Sequence, residues 1–114
     1  MSMQPDSIEI ISSYLANEFG MNPEETAEIL DIFFEESESL IQKMEEALNN
    51  KNHNDIALHA HAMKGSAANI NASNLSSLAL NIEISGKSGN LDNAKETLPL
   101  LKNAFITLKK EYAA

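Results

Sequence analysis

Asn52-His53-Asn54-Asp55-Ile56-Ala57-Leu58-His59-Ala60-His61-Ala62-Met63-Lys64-Gly65-Ser66-Ala67-Ala68-Asn69-Ile70 is the stretch on which the fold turns. Ile56, Ala60, Met63, Ala67 and Ile70 recur at spacings of four, three, four and three. That rhythm lines one face of an α-helix and marks it as the face that enters a core. His61, Lys64, Gly65 and Ala68 form a neighbouring stripe, about 100° around the cylinder, which puts His61 at the border of core and solvent. Gly65 breaks a local rule, because glycine inside a helix costs about 1 kcal/mol relative to alanine. Two of the three histidines lie within six residues of it, as does the only lysine between Lys51 and Lys87.

The same periodicity extends to both sides. Asn22-Pro23-Glu24-Glu25 is a helix start, with Asn as N-cap, Pro in the first position and Glu three residues after the cap. The helix runs to about Asn49, with Ile29, Phe33, Ser37, Leu40, Met44 and Ala47 on its inward face and Leu30, Ile41 and Leu48 flanking them. Glutamates crowd its other side. Phe33 and Phe34 point about 100° apart, so both are expected to be partly core; the alternative is an aromatic left partly exposed for a partner. Upstream, Asp6 followed by Glu9 reads as an N-cap with its capping-box partner. They open a short helix that runs to about Glu18, stops at Gly20 and faces inward with Ile8, Ile11, Tyr14 and Leu15.

Downstream, Ser73 or Asn74 is the expected cap of a fourth helix. Leu75, Leu78, Ala79, Ile82 and Gly86 face inward on it, and Gly89 ends it. A last helix opens at Asn90 or Leu91 and carries Leu91, Ala94, Leu98, Leu101, Phe105, Leu108 and Tyr112 on its apolar side. Pro99 lies inside it and is expected to kink it. The expectation is an all-α fold, an antiparallel up-and-down four-helix bundle with a short extra N-terminal helix. One domain is expected over 1–114, with the bundle at about 22–112 and residues 1–5 disordered.

Composition narrows the function. At 114 residues the chain can bury a modest core without metals or disulfides. It has no cysteine, so thiolate chemistry and cysteine-based metal sites are excluded. No apolar run approaches the roughly 20 residues that span a bilayer, and the N-terminus lacks the regions of a signal peptide. The expectation is a soluble, cytoplasmic protein. The formal charge of −9 is uneven: residues 1–50 carry twelve acidic side chains and one basic one, whereas residues 51–114 carry five acidic and seven basic. That balance argues against nucleic acid and anionic membranes as partners, since both need a basic footprint. The plainest reading of the acidic half is a solubilising surface.

The histidines do not suit a metal. His59 and His61 are two residues apart, about 200° around a helix, and His53 lies eight residues from His61. The positions three before each histidine are Asn50, Ile56 and Leu58, so no Glu-x-x-His pair of the di-iron bundle type occurs. No acidic residue stands close enough in sequence to His61 to orient its ring, and there is neither a serine elbow nor a cysteine. A complete active site of the chain's own is not expected. What remains is histidine as the nucleophile: neutral imidazole attacks phosphorus readily near neutral pH. Lys64, one turn on, could neutralise part of the charge that arrives. Gly65 removes a side chain where an incoming protein would approach. On residues alone, three readings stay open: a phosphate acceptor, a helical adaptor that docks proteins without accepting phosphate, and an acidic scaffold or oligomerisation domain. An exposed His61 beside Lys64 favours the first and a ring buried against the core the second. A broad apolar patch away from His61 favours the third.

Ala60-His61-Ala62-Met63-Lys64-Gly65-Ser66-Ala67-Ala68-Asn69-Ile70 resembles the signature of histidine-containing phosphotransfer (HPt) domains: His, two residues, Lys-Gly-Ser, then small residues. Leu75, Leu78 and Ile82-Glu83 fall where that family repeats its apolar positions. The helix with Phe33-Phe34, the loop at Gly89-Asn90-Leu91 and Leu98-Pro99-Leu100-Leu101 are also similar, so the resemblance spans roughly residues 24–112. It implies that His61 is the phosphorylated residue, Lys64 the stabilising cation, Gly65 the clearance for a docking receiver domain, and Ser66 part of the frame. It also implies a monomeric phosphorelay carrier that serves receiver domains of response regulators and hybrid histidine kinases. Such a carrier has no ATP site and no cofactor of its own, and magnesium belongs to the receiver. Asn71 stands where the family often has glycine; asparagine tolerates left-handed backbone, so the turn is expected to form.

Overall fold

The computed structural model describes residues 4–114, so the expectation of disorder over residues 1–5 lies outside the described residues for Met1-Ser2-Met3, while Gln4 and Pro5 are exposed and belong to no helix. Five helices follow in order: α1 Ile8–Phe19, α2 Pro23–Asn49, α3 His53–Asn69, α4 Ser73–Ser88 and α5 Leu91–Ala113. No strand occurs among the described residues. Around the core, α2 packs on α3, α3 on α4, α4 on α5 and α5 on α2, while α1 leans on α2 and α5. The inward stripe of α3 is as the spacing predicts, with Ile56, Ala60, Met63, Ala67 and Ile70 all buried.

Helix α2 departs from its expected face. Thr26, Leu30, Phe33, Phe34, Ser37, Ile41, Met44 and Ala47 are buried, while Ile29, Leu40 and Leu48 are only partly so. The reason is its neighbours: α2 touches α1, α3 and α5, so a broad face is buried and not one seam. Phe33 and Phe34 are therefore both core, each 4% exposed. Phe34 stacks on Tyr112 with ring centroids 5.1 Å apart and meets Phe105 at 5.7 Å, which offsets the angular cost of adjacent rings. No free aromatic remains here for a partner. Helix α5 continues through Pro99, which lies on its exposed side. There the carbonyl that loses its helical donor can turn to water.

The start of α2 and the end of α1 follow local chemistry. Asn22 and Glu25 form the capping box at 2.8 and 3.1 Å, and Gly20 closes α1 in the left-handed conformation. The start of α1 does not follow the expectation. Ser7, not Asp6, is its N-cap and accepts from the Ile10 amide at 3.1 Å. Asp6 instead crosses to α4, where its two carboxylate oxygens accept from the amides of Asn74 and Leu75 at 2.9 and 2.8 Å. This accounts for a second departure, because α4 starts after Ala72, which has no side chain to cap with. Neither Ser73 nor Asn74 caps the helix; a residue 68 positions away does so. Asn71 takes the left-handed conformation, φ 63°, in the turn that precedes it.

The α3–α4 pair matters most for the site. A Cβ built on Gly86 would stand 2.7 Å from the Ala57 nitrogen and 2.8 Å from the His53 carbonyl oxygen, so the two backbones touch there and only glycine fits. The Ser76 hydroxyl donates to the Lys64 carbonyl at 3.2 Å farther along. These contacts run the two helices antiparallel and set residues 61 and 83 opposite each other.

Candidate functional site

His61 projects from α3 with 65% of its side chain exposed. Its Nδ1 lies 2.9 Å from Oε2 of Glu83 on α4. Glu83 is 3% exposed, and it also receives Lys64 Nζ at 2.7 Å on Oε1 and Lys87 Nζ at 2.9 Å on Oε2. A buried carboxylate is tolerated because three donors converge on it. The Lys64 and Lys87 ammonium groups, the first more strongly, hold its carboxyl down at about 2 against the opposing effect of burial, and the His61 contact adds to theirs. Glu83 is thus ionised at any ordinary pH.

That charge decides the tautomer of His61. An ionised carboxylate can only accept, so Nδ1 must carry the proton and donate it. Nε2 is then the unprotonated nitrogen of the neutral ring, with its lone pair directed away from Glu83. The ring is oriented, and the nitrogen that carries its lone pair is left free.

Glu83 is the residue that sequence reasoning missed at this site. Sequence proximity along α3 offers His61 no acid, because the acid comes from α4, 22 residues on. A signal was available: Leu75, Ala79 and Glu83 share one helical line, and a charged residue at core phase calls for partners. Lys87, one turn farther, was also passed over.

Of the other predicted residues, Lys64 belongs to the cluster, with 29% of its side chain exposed. Gly65 is exposed, and a Cβ there would meet nothing within 4 Å. The fold itself does not require that glycine, in contrast to Gly86. Ser66 is half-buried and outside the Glu83 cluster; with Ala62 it lines an open groove toward Ile32, Glu35, Glu36 and Leu40 of α2. His59 is half-buried and takes no part in the cluster, and His53 lies within 3.1 Å of the Gly86 carbonyl through Nδ1. No group of three or more metal-ligating side chains occurs among the described residues. Among them, no helix is long and apolar enough to cross a membrane.

The Hpt domain family model matches residues 28–111. Among solved structures, the chain is similar to the crystal structure of histidine-containing phosphotransfer protein B (HptB) from Pseudomonas aeruginosa PAO1. The sequence identity is 23%, the TM-score 0.78, and the match covers 97% of this chain and 96% of that one. At that identity the likeness bears on the fold. No curated protein sequence matches the chain.

Proposed function

The chain belongs to the Hpt domain family, and from that premise we propose that His61 is the residue that carries the phosphoryl group. The family is one of histidine phosphotransfer proteins in phosphorelay signalling, carriers that interact with receiver domains. One observation supports the assignment to His61 above all. Its ring is exposed, its Nδ1 is held by a buried carboxylate and its Nε2 is free, with a lysine one turn on.

The step follows from that geometry. Nε2 attacks the phosphorus of an acyl phosphate on a receiver aspartate; the N–P bond forms, the P–O bond breaks, and the electron pair leaves with the aspartate carboxylate. Nδ1 keeps its proton, so the phosphorylated ring gains a positive charge facing Glu83. Lys64 neutralises part of the phosphoryl charge, which together with positioning is most of what such a transfer needs. Gly65 leaves room for the receiver's surface, and Ser66 frames the side toward α2. Any magnesium would act from the receiver, and the chain needs neither a cofactor nor an ATP site of its own.

The same reading makes residues 22–112 one working unit, an antiparallel up-and-down bundle of α2–α5 with α1 as a short addition, acting as a cytoplasmic monomer. Exposure of His61 favours this over a docking adaptor that takes no phosphate. Phosphotransfer profiling against the receiver domains of the source organism tests it. The wild type is expected to acquire an acid-labile, base-stable label, and label that survives in His61→Gln would sink the assignment. Lys64→Ala is expected to fold normally and to lose phosphoryl lifetime or transfer rate; unchanged values for both would remove its role.

A further inference from the structure

We propose that Lys87 is a positioning residue of the transfer: it holds the Glu83 charge so that Lys64 is free to leave for the phosphoryl group. This rests on the assignment of His61 as phosphate acceptor. In the unphosphorylated protein Lys64 is engaged, with Nζ 2.7 Å from Glu83 Oε1. An ammonium that neutralises a buried carboxylate is a poor ligand for anything else, because its departure would leave that carboxylate uncompensated in the interior. Glu83 is 3% exposed and has no access to enough water to replace a lysine.

Lys87 removes this conflict. It stands one turn beyond Glu83 on the same helix and meets the other oxygen, Oε2, at 2.9 Å. Two cations therefore serve one carboxylate, one more than charge balance requires. Their placement differs: Lys64 is on α3 with His61 and mostly covered, whereas Lys87 is on α4 with 68% of its side chain in solvent. Lys64 shares a helical face with the reactive ring and is the one suited to swing toward Nε2. Lys87 stays behind with the Nδ1 proton of His61, and together they keep Glu83 charged and paired throughout. On dephosphorylation Lys64 returns. The surplus cation also leaves the cluster with a net charge of +1 before the dianionic phosphoryl group arrives.

The test needs no partner protein. Wild type, Lys87→Gln, Lys87→Arg, Glu83→Gln and the Glu83→Gln/Lys87→Gln pair are phosphorylated with phosphoramidate as the donor. The decay of the phosphohistidine is then followed by phosphorus NMR. Lys87→Gln is expected to shorten the lifetime by about twofold to fivefold, the upper part of the range for one exposed charge pair, and Lys87→Arg to restore it. In the Glu83→Gln background, where no buried charge remains to be held, Lys87→Gln should change nothing. Label on the wild type with equal lifetimes for wild type and Lys87→Gln overturns this inference alone. An equal Lys87 effect with and without the Glu83 charge also overturns it, since Lys87 would then act on the phosphate directly. Failure of the wild type to take up any label overturns it together with the assignment of His61.

Discussion

Replacing Glu83 by Gln removes the charge at the centre of the site and keeps the side chain's size, so its effect on stability should depend on pH in a calculable way. The folded protein holds the Glu83 carboxyl at about 2, against 4.5 for an unperturbed glutamate. The folded-state value is the lower one, so Glu83 contributes stability that is complete above about pH 4.5 and is lost as pH falls toward 2. A depression of that size corresponds to at most about 3 kcal/mol at neutral pH. Taking the two values at face value, about 2 kcal/mol of it has gone by pH 3. Other carboxylates titrate in the same range, but they do so in both proteins and cancel in the difference. Urea unfolding of wild type and Glu83→Gln at pH 7, 5, 4 and 3 measures that difference. The wild type should be the more stable at pH 7, by an amount that narrows by about 2 kcal/mol on going to pH 3. A gap that stays constant over this range would refute the reasoning: the carboxylate would then be no better placed than a solvated one, and the convergence of Lys64, Lys87 and His61 on it would carry no energy.

Other outcomes can be checked on the scaffold. Asp6→Ala should cost about 1 kcal/mol, the usual value of a helix cap, and lower the melting temperature by roughly 4 °C; a melting temperature equal to wild type would mean that α4 needs no cap from the N-terminal segment. Gly86→Ala should destabilise by about 1–3 kcal/mol through overpacking against Ala57 and His53, read by thermal or urea unfolding. Gly65→Ala meets open space, so it should be neutral or stabilising by up to about 1 kcal/mol, yet slow phosphotransfer from a receiver domain. Unchanged transfer in a well-folded Gly65→Ala would remove the clearance assigned to that position.

How much of this was legible in the sequence depends on whether the cause was local. Gly20, Gly89 and the Asn22–Glu25 box act within a turn of themselves, and each is where the chain's chemistry puts it. The α3 stripe was readable because its buried line is narrow and regular. The centre of the α2 face was not, since three neighbours widen it. Asp6 illustrates the limit most directly. Its type announces a cap, but the helix it caps is chosen by tertiary proximity, and the starts of α1 and α4 both depart from the local pattern for that one reason. At the site, His61, Lys64 and Gly65 could be grouped by phase along one helix. Glu83 could not be assigned to them without knowing how α4 lies on α3, although its place on a core line was a visible anomaly.

The contact between α3 and α4 at Gly86 has a consequence for tolerance. Most distances between helices are set by side chains, and they drift by fractions of an ångström whenever a core residue changes size. Here the spacing is a hard stop, backbone against backbone, about one turn from Glu83 and one to two turns from His61. The 2.9 Å separation of Nδ1 and Oε2 is therefore referenced to the thickness of the peptide chain and not to the packing of α2 or α5. Sequence change elsewhere in the core can alter stability and still leave the alignment of the His61 ring in register.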